Sequence, residues 1–174
     1  IVNSNNYAMR NYLIAVIARG NTLLTNMESA FRGCSKLADI PMYDTTNSFI
    51  DVTSFSYAFR KCTSLKSLPF NANTNKGLFS GCEKATDFSY TFRDCTGLTE
   101  PIPIKIIDGC PNVTTVAGMF AYNTNMTGSI PTGMFAGLTA LTNASEVFAN
   151  CSKMNGEISS DLFADCPNVT TIYR

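Results

Sequence analysis

The hexapeptide Cys-Pro-Asn-Val-Thr-Thr occupies residues 110–115 and returns unchanged at residues 166–171, 56 residues later. Around it the motif Phe-x-x-Cys recurs along the chain. From Phe79 onward the first residues of these motifs, with Ile107 in one Phe position, alternate between steps of 13 and 15. Two half-repeats therefore make one unit of 28 residues, and the hexapeptide recurs after two units. Self-similarity at such a period is the sequence signature of a repeat architecture.

The apolar spacing within one unit predicts a solenoid. From Phe135 to Val147 the apolar residues fall three apart, which fits neither an α-helix nor the alternation of a strand. Such spacing is typical of a chain that turns corners, with neighbouring coils completing the core. The sequence thus predicts a repeat solenoid over residues 25–174, with about 28 residues per coil and short parallel strands stacked coil on coil. We place these strands in segments such as 35–41, 63–69 and 124–131, each of which ends in Pro.

Phenylalanine occupies the same position in five successive units, which predicts an internal aromatic spine. Burial of each ring contributes roughly 1.5–3 kcal/mol to folding, so we interpret these residues as structural rather than ligand-binding. The spine consists of Phe31, Phe59, Phe92, Phe120 and Phe148.

Two segments depart from the repeat. The stretch FNANTNKG at residues 70–77 lengthens one unit and contains three Asn, which predicts an insertion that loops out of the stack. Residues 1–24 do not follow the repeat pattern and predict an N-terminal cap, either a helix that ends near Gly20 or a partial repeat. Because the chain opens on Ile1 and stops within a repeat, we expect a single domain that is part of a longer protein.

The segments AFRGCSKLADIP (30–41) and AFRKCTSLKSLP (58–69) resemble the bacterial-surface (BspA-like) leucine-rich repeat family, whose units read Ala-Phe-x-x-Cys-x-x-Leu-x-x-Ile-Pro. The resemblance extends over about residues 25–174. The unit here is longer than the usual one of the family, and MTGSIP (126–131) is more similar to plant-type repeats. The resemblance implies surface adhesion by a leucine-rich-repeat solenoid within a larger anchored protein.

The seven cysteines recur at two repeat positions, which predicts reduced and buried thiols rather than disulfides. The same positions hold Asn123 and Leu138 in other units, so the site behaves as a small apolar niche. The chain has no His and no Cys-x-x-Cys pair, so we expect neither a metal site nor a cofactor. No cysteine is singled out as a catalytic thiolate.

Composition narrows the function further. Thirteen basic and thirteen acidic side chains cancel, so the sequence shows no electrostatic footprint for nucleic acid. The longest apolar run, residues 13–18, is too short to span a bilayer, so we expect no membrane insertion by this segment. Without His, the commonest general base is missing, and we expect the protein not to be an enzyme.

Repeat positions beside the spine place Arg and Tyr in columns. Arg32, Arg60 and Arg93 each follow a spine Phe, whereas Tyr57 and Tyr90 precede one by two residues. Tyr and Arg are typical of binding hot spots, so these five residues are the candidate ligand-binding set. The alternative is that the Arg stems cover apolar edges while the Tyr rings complete the packing.

The sequence therefore predicts a non-catalytic recognition or adhesion module that binds a protein or glycan outside the cell, at a bacterial surface. The alternative is a structural or host-binding component of a phage virion, such as a tail fibre or capsid appendage. Charge reversal at Arg60 and Arg93 is expected to weaken ligand capture with little change in melting temperature.

Overall fold

Successive repeat units are joined by isolated parallel β-bridges. The computed structural model describes residues 24–40 and 49–172. The bridges pair Ser54 with Asp87, Asp87 with Thr115, Thr115 with Asn143, and Asn143 with Thr171. Three of these pairs join residues 28 apart, which confirms the predicted repeat length, whereas the first pair spans the insertion and joins residues 33 apart.

The predicted position of the inter-coil strands is wrong for segments 63–69 and 124–131, which contain no bridge, whereas Asp39 in segment 35–41 is a bridge residue. The four bridge pairs lie in the half-unit that ends in Asn-Val-Thr-Thr. Proline lacks an N–H group, so Pro69 and Pro131 cannot donate to a ladder. Coils are joined in the proline half by single bonds, such as the one from Lys66 N to Ala38 O at 3.3 Å.

The backbone at each spine corner is hydrogen-bonded without forming a strand. In the Phe31 coil, the N–H groups of residues 30, 32 and 34 donate to carbonyls three residues earlier. Those of residues 29, 31 and 33 donate instead to carbonyls of the next coil, for example Phe31 N to Ala58 O at 2.7 Å. The same alternation recurs around Phe59 and Phe92. Every N–H group of these corners is thereby paired, as a buried backbone requires.

The predicted aromatic spine is confirmed. Neighbouring rings from Phe31 to Phe148 stack with centroids 5.3–5.9 Å apart and interplanar angles of 9–16°. A second column, which the sequence did not reveal, begins with Phe55 stacked on Phe88 at 4.9 Å. Phe79 is tilted against both of these rings. The rings form a continuous core through the stack.

The seven cysteines form no disulfides, as predicted, and six of them are buried. The niche is more polar than the sequence suggested, because the thiols donate hydrogen bonds to spine carbonyls of the preceding coil. Cys62 Sγ lies 3.2 Å from Phe31 O, and Cys95 Sγ lies 3.0 Å from Phe59 O. Asn123 Nδ2 makes the same bond to the preceding coil at 3.0 Å. At the position shared by Cys62, Cys95 and Asn123 the side chain is therefore small and carries a donor, whereas the second cysteine position also accepts Leu138.

The insertion forms a hairpin of two short antiparallel strands, β1 (Phe70–Asn71) and β2 (Lys76–Gly77). Asn71 Oδ1 accepts bonds from the N–H groups of Asn73 and Thr74, which closes the turn. At the base, Gly77 packs so tightly on the backbone of the following half-unit that any Cβ would overlap it. These are the only strands within residues 24–40 and 49–172, which contain no helix. Except for its last residue, the predicted cap over residues 1–24 lies outside the described residues.

Candidate recognition site

Three columns of side chains line the outer side of the spine corners. We call them the tyrosine column (Ser29, Tyr57, Tyr90, Gly118, Glu146), the arginine column (Arg32, Arg60, Arg93, Ala121, Ala149) and the corner column (Gly33, Lys61, Asp94, Tyr122, Asn150). All ten residues of the tyrosine and corner columns have positive φ, between 55° and 76°. This left-handed backbone turns the chain sharply at both ends of the corner. We refer to the three columns together as the arginine–tyrosine edge.

The two predicted tyrosines are brought together. The rings of Tyr57 and Tyr90 stack with centroids 4.9 Å apart and an interplanar angle of 23°. The guanidinium groups of Arg32 and Arg60 lie 5.3 and 5.6 Å from the Tyr57 centroid, and that of Arg93 lies 5.2 Å from the Tyr90 centroid. These distances are within the range of cation–π attraction. All five residues predicted from sequence therefore belong to one cluster.

The arginine column is largely neutralised by acidic residues of the same edge. Arg60 Nε lies 3.3 Å from the Asp94 carboxylate, whose same oxygen lies 3.9 Å from Arg93 Nε. Arg93 Nη1 lies 3.3 Å from Glu146 Oε2. The side chains of Arg60 and Arg93 are only 22% and 20% exposed. Charge reversal at these two positions would put like charges together in half-buried sites, so the expectation of an unchanged melting temperature does not fit the structure.

Gly118 makes the ion pair between Arg93 and Glu146 possible, although these residues lie two coils apart. A Cβ at this position would overlap the ring of Tyr90, so the ring lies where other coils carry a side chain. Glu146, one coil further, then reaches across Gly118 to Arg93. Arg93 is held on its other side by the ring of Tyr122, 4.5 Å from the guanidinium carbon.

Arg32 differs from the other two arginines. It is exposed, and no carboxylate in the described part of the chain lies within ion-pair distance of it. Its guanidinium is held by the Tyr57 ring alone among the described contacts. The predicted row of three arginines therefore contains one exposed cation and two compensated ones.

Sequence reasoning missed Asp94, Tyr122 and Glu146 as members of the cluster. Glu146 occupies the same repeat position as Tyr57, and Asp94 and Tyr122 share another one. An alignment of the coils would have shown that acidic residues appear in the columns that flank arginine. It would not have shown that Glu146 contacts Arg93 two coils away, because that contact depends on the absence of a side chain at Gly118.

The thiols have the properties of structural groups. Burial raises the pKa of the Cys110 thiol from 9.0 to about 12 and also raises the pKa values of Cys151 and Cys166. A hydrogen bond with Cys95, followed by burial, raises the pKa of Cys62. These thiols stay protonated at neutral pH, whereas a nucleophilic cysteine needs a lowered pKa.

Among residues 24–40 and 49–172, no group of three or more His, Cys, Asp or Glu side chains is arranged to hold a metal ion. None of these residues belongs to a helix long and apolar enough to cross a bilayer.

Comparison with known proteins gives a family. The sequence matches the family described as "Mycoplasma protein of unknown function, DUF285" over residues 20–132 and again over residues 82–173. No curated protein matches the chain. Among solved structures, a leucine-rich repeat protein from Bacteroides ovatus is similar, with 16% sequence identity and a TM-score of 0.28. That similarity covers 92% of this chain and 47% of the Bacteroides chain, so this chain spans about half the length of that protein.

Proposed function

We propose, from the premise that this chain belongs to the family described as "Mycoplasma protein of unknown function, DUF285", that it is a non-catalytic recognition module of a bacterial surface protein. Its coils form a leucine-rich-repeat solenoid, and its arginine–tyrosine edge binds a partner protein. The surface location rests on the resemblance of segments 30–41 and 58–69 to bacterial-surface repeats.

The observation that carries this proposal is the backbone conformation of the edge. Eight residues of the tyrosine and corner columns have left-handed φ although they are not glycine. This conformation costs roughly 1–2 kcal/mol for a residue with a Cβ, and Gly33 and Gly118 show that glycine occupies the same positions without this cost. Costly backbone conformations tend to be retained at functional sites. The edge keeps Tyr57, Tyr90 and Asp94 at positions where glycine would carry no such backbone cost.

The chemistry of the edge favours a protein over a glycan. Sugar rings bind aromatic residues by stacking on exposed ring faces. The faces of Tyr57 and Tyr90 are covered by each other and by the guanidinium groups of three arginines. What remains available are ring edges, hydroxyl groups and guanidinium hydrogens, which are the groups that dominate protein–protein hot spots.

The non-catalytic part of the proposal is supported by the raised pKa values of the four cysteines with resolved shifts. The virion alternative stays a prediction. Association of the purified chain into a symmetric assembly would favour it.

The proposal is tested by probing a printed peptide array and a printed glycan array with the labelled chain and with a Tyr57→Ala/Tyr90→Ala variant. We expect the wild-type chain to bind a subset of peptides and the variant to lose those signals. Arg32→Gln is a second variant, because Arg32 is exposed and its change leaves the packing intact. Circular dichroism and urea unfolding check that each variant is folded.

Glycan signals that both variants retain would overturn the proposed site. Peptide signals that both folded variants retain would place recognition on another face of the molecule.

A further inference from the structure

The corner column allows the surroundings of Arg32 to be compared with those of Arg60 and Arg93. Lys61, Asp94 and Tyr122 have φ values of 62°, 63° and 65°, and each donates its N–H to a carbonyl of the next coil. These residues are therefore equivalent in backbone conformation and in register. Side chains at equivalent positions leave the backbone from the same place relative to the arginine column.

In the Phe92 coil this position holds a carboxylate. The side chain of Asp94 contacts Arg60 of the preceding coil and lies near Arg93 of its own coil. A carboxylate at the corner thus compensates two arginines, one from each of two adjacent coils. In the Phe120 coil, Tyr122 at the same position contacts the preceding arginine, Arg93, through its ring.

In the Phe59 coil the position holds Lys61. By the same register, the arginine of the preceding coil is Arg32 and the arginine of its own coil is Arg60. Arg32 and Lys61 are both exposed, and neither has an ion-pair partner among residues 24–40 and 49–172. This is the one corner of the arginine series where a second cation stands in place of a carboxylate or an aromatic ring.

We propose that the corner formed by Arg32, Tyr57 and Lys61 binds a carboxylate side chain from an acidic segment of the partner protein. The partner's carboxylate compensates the guanidinium of Arg32 as Asp94 compensates that of Arg60, and the Lys61 ammonium contributes a second positive charge. Paired charges of this kind give specificity and faster association. This inference rests on the proposed function of the arginine–tyrosine edge.

A protein carboxylate fits better than one from a sugar acid. The ring of Tyr57 is covered by Tyr90 and approached by two guanidinium groups, so no free aromatic face lies beside the corner to receive a sugar ring. An extended acidic peptide needs no such face. It also places successive carboxylates at alternate residues along one side of the strand, which suits cations on neighbouring coils.

The test measures binding of the whole chain to fluorescent hexaglutamate by anisotropy, with hexaglutamine as the uncharged probe. We expect saturable binding of hexaglutamate that weakens with added salt, since exposed charges are screened. Lys61→Asp gives Arg32 a carboxylate from the chain itself, in the register of Asp94. We expect it to weaken hexaglutamate binding about tenfold or more and to raise the melting temperature by about 1–2 °C.

The matched control is Lys66→Asp, which makes the same charge change at an exposed lysine outside the edge. It should retain most of the hexaglutamate affinity and should not raise the melting temperature. Equal loss of affinity in the two variants would overturn the proposal, because it would show attraction by net charge alone. Equal binding of hexaglutamate and hexaglutamine by the wild-type chain would overturn it as well.

Two comparisons separate this inference from the proposed function. If Tyr57 and Arg32 are required for array signals but hexaglutamate does not bind, the edge is a recognition site without a carboxylate corner. If a hexamer of galacturonic acid binds more tightly than hexaglutamate and is lost in Lys61→Asp, the partner is an acidic glycan, and the assignment to a protein is overturned.

Discussion

The inner and outer sides of the spine corners share one backbone but differ in how far their residues repeat. Inside, the same ring recurs in five coils, from Phe31 to Phe148. Outside, the arginine column changes to alanine after Arg93, and the tyrosine column passes from Tyr90 through glycine to Glu146. An inner residue has partners in both neighbouring coils, so a substitution disturbs two contacts. Outer residues are half-solvated and can vary from coil to coil, which suits them for recognition.

The largest expected effect is on the inner side. Phe92→Ala removes a fully buried ring that stacks on Phe59 at 5.4 Å and on Phe120 at 5.8 Å, and it should lower the free energy of unfolding by about 3–5 kcal/mol. Phe148→Ala, at a half-buried ring of the same spine, is the matched control. It should cost clearly less in urea unfolding. Equal losses would show that ring stacking along the spine does not determine stability.

The next effect is a pH dependence of the inner side. The pKa of Cys110 is raised by burial from 9.0 to about 12, so the folded state holds the thiol proton more strongly than the unfolded chain. Its contribution to stability is complete below pH 9.0 and is lost as the pH rises toward 12. Between about pH 8 and about pH 10.5, this thiol should account for a loss of about 2 kcal/mol.

Cys110→Asn isolates that contribution. It removes the titrating thiol and retains a donor for the Phe79 carbonyl, as Asn123 does for Phe92. Urea unfolding at several pH values should show a shallower alkaline loss for this variant than for the wild-type chain. Parallel pH profiles for the two proteins would contradict the assignment.

A smaller effect of opposite sign is expected at Asn123, which occupies the repeat position of Cys62 and Cys95. Asn123 donates to Phe92 O, but its Oδ1 is buried without a hydrogen-bond partner. Asn123→Cys keeps the donor and removes the unsatisfied acceptor, so it should raise the free energy of unfolding by about 1–2 kcal/mol. Asn123→Leu loses the donor and should be destabilising. Thermal melts of both variants would decide whether the donor matters.

The smallest effects on stability are expected on the outer side, where they should distinguish Arg93 from Arg32. Arg93→Gln loses the ion pair with Glu146 and two ring contacts, and should cost about 1 kcal/mol. Arg32→Gln, at an exposed cation, should stay within about 0.5 kcal/mol. Chemical denaturation would check this order. The reverse order would mean that the exposed arginine is the structural one.

The sequence was sufficient for the repeat length and the spine, because both follow from which apolar residues recur and at what interval. It misplaced the four bridge pairs between Ser54 and Thr171, since apolar spacing reports which side chains point inward but not which backbone groups face a neighbour. Pro69 indicated where the strand segment ends in the proline half of the unit. The parallel bridges between coils lie in the other half, for example at Thr115.

For the candidate site, the sequence indicated the five Arg and Tyr residues but not the acidic residues that neutralise the arginines. Asp94 and Glu146 reach arginines through contacts between coils, 34 and 53 residues apart in the chain. Such pairs become visible only when the coils are set in register. The donor role of the cysteines was missed for the same reason, because the thiols of Cys62 and Cys95 bond to carbonyls 31 and 36 residues earlier.

The alternating N–H bonds of the corners have a direction. The N–H groups of residues 29, 31 and 33 find their carbonyls only on the following coil, and the thiol that caps Phe31 O also comes from that coil. During synthesis the earlier coil leaves the ribosome first, and the later coil then supplies both the carbonyl acceptors and the thiol. The hydrogen bonds of each corner are therefore complete only after the following coil has been synthesised.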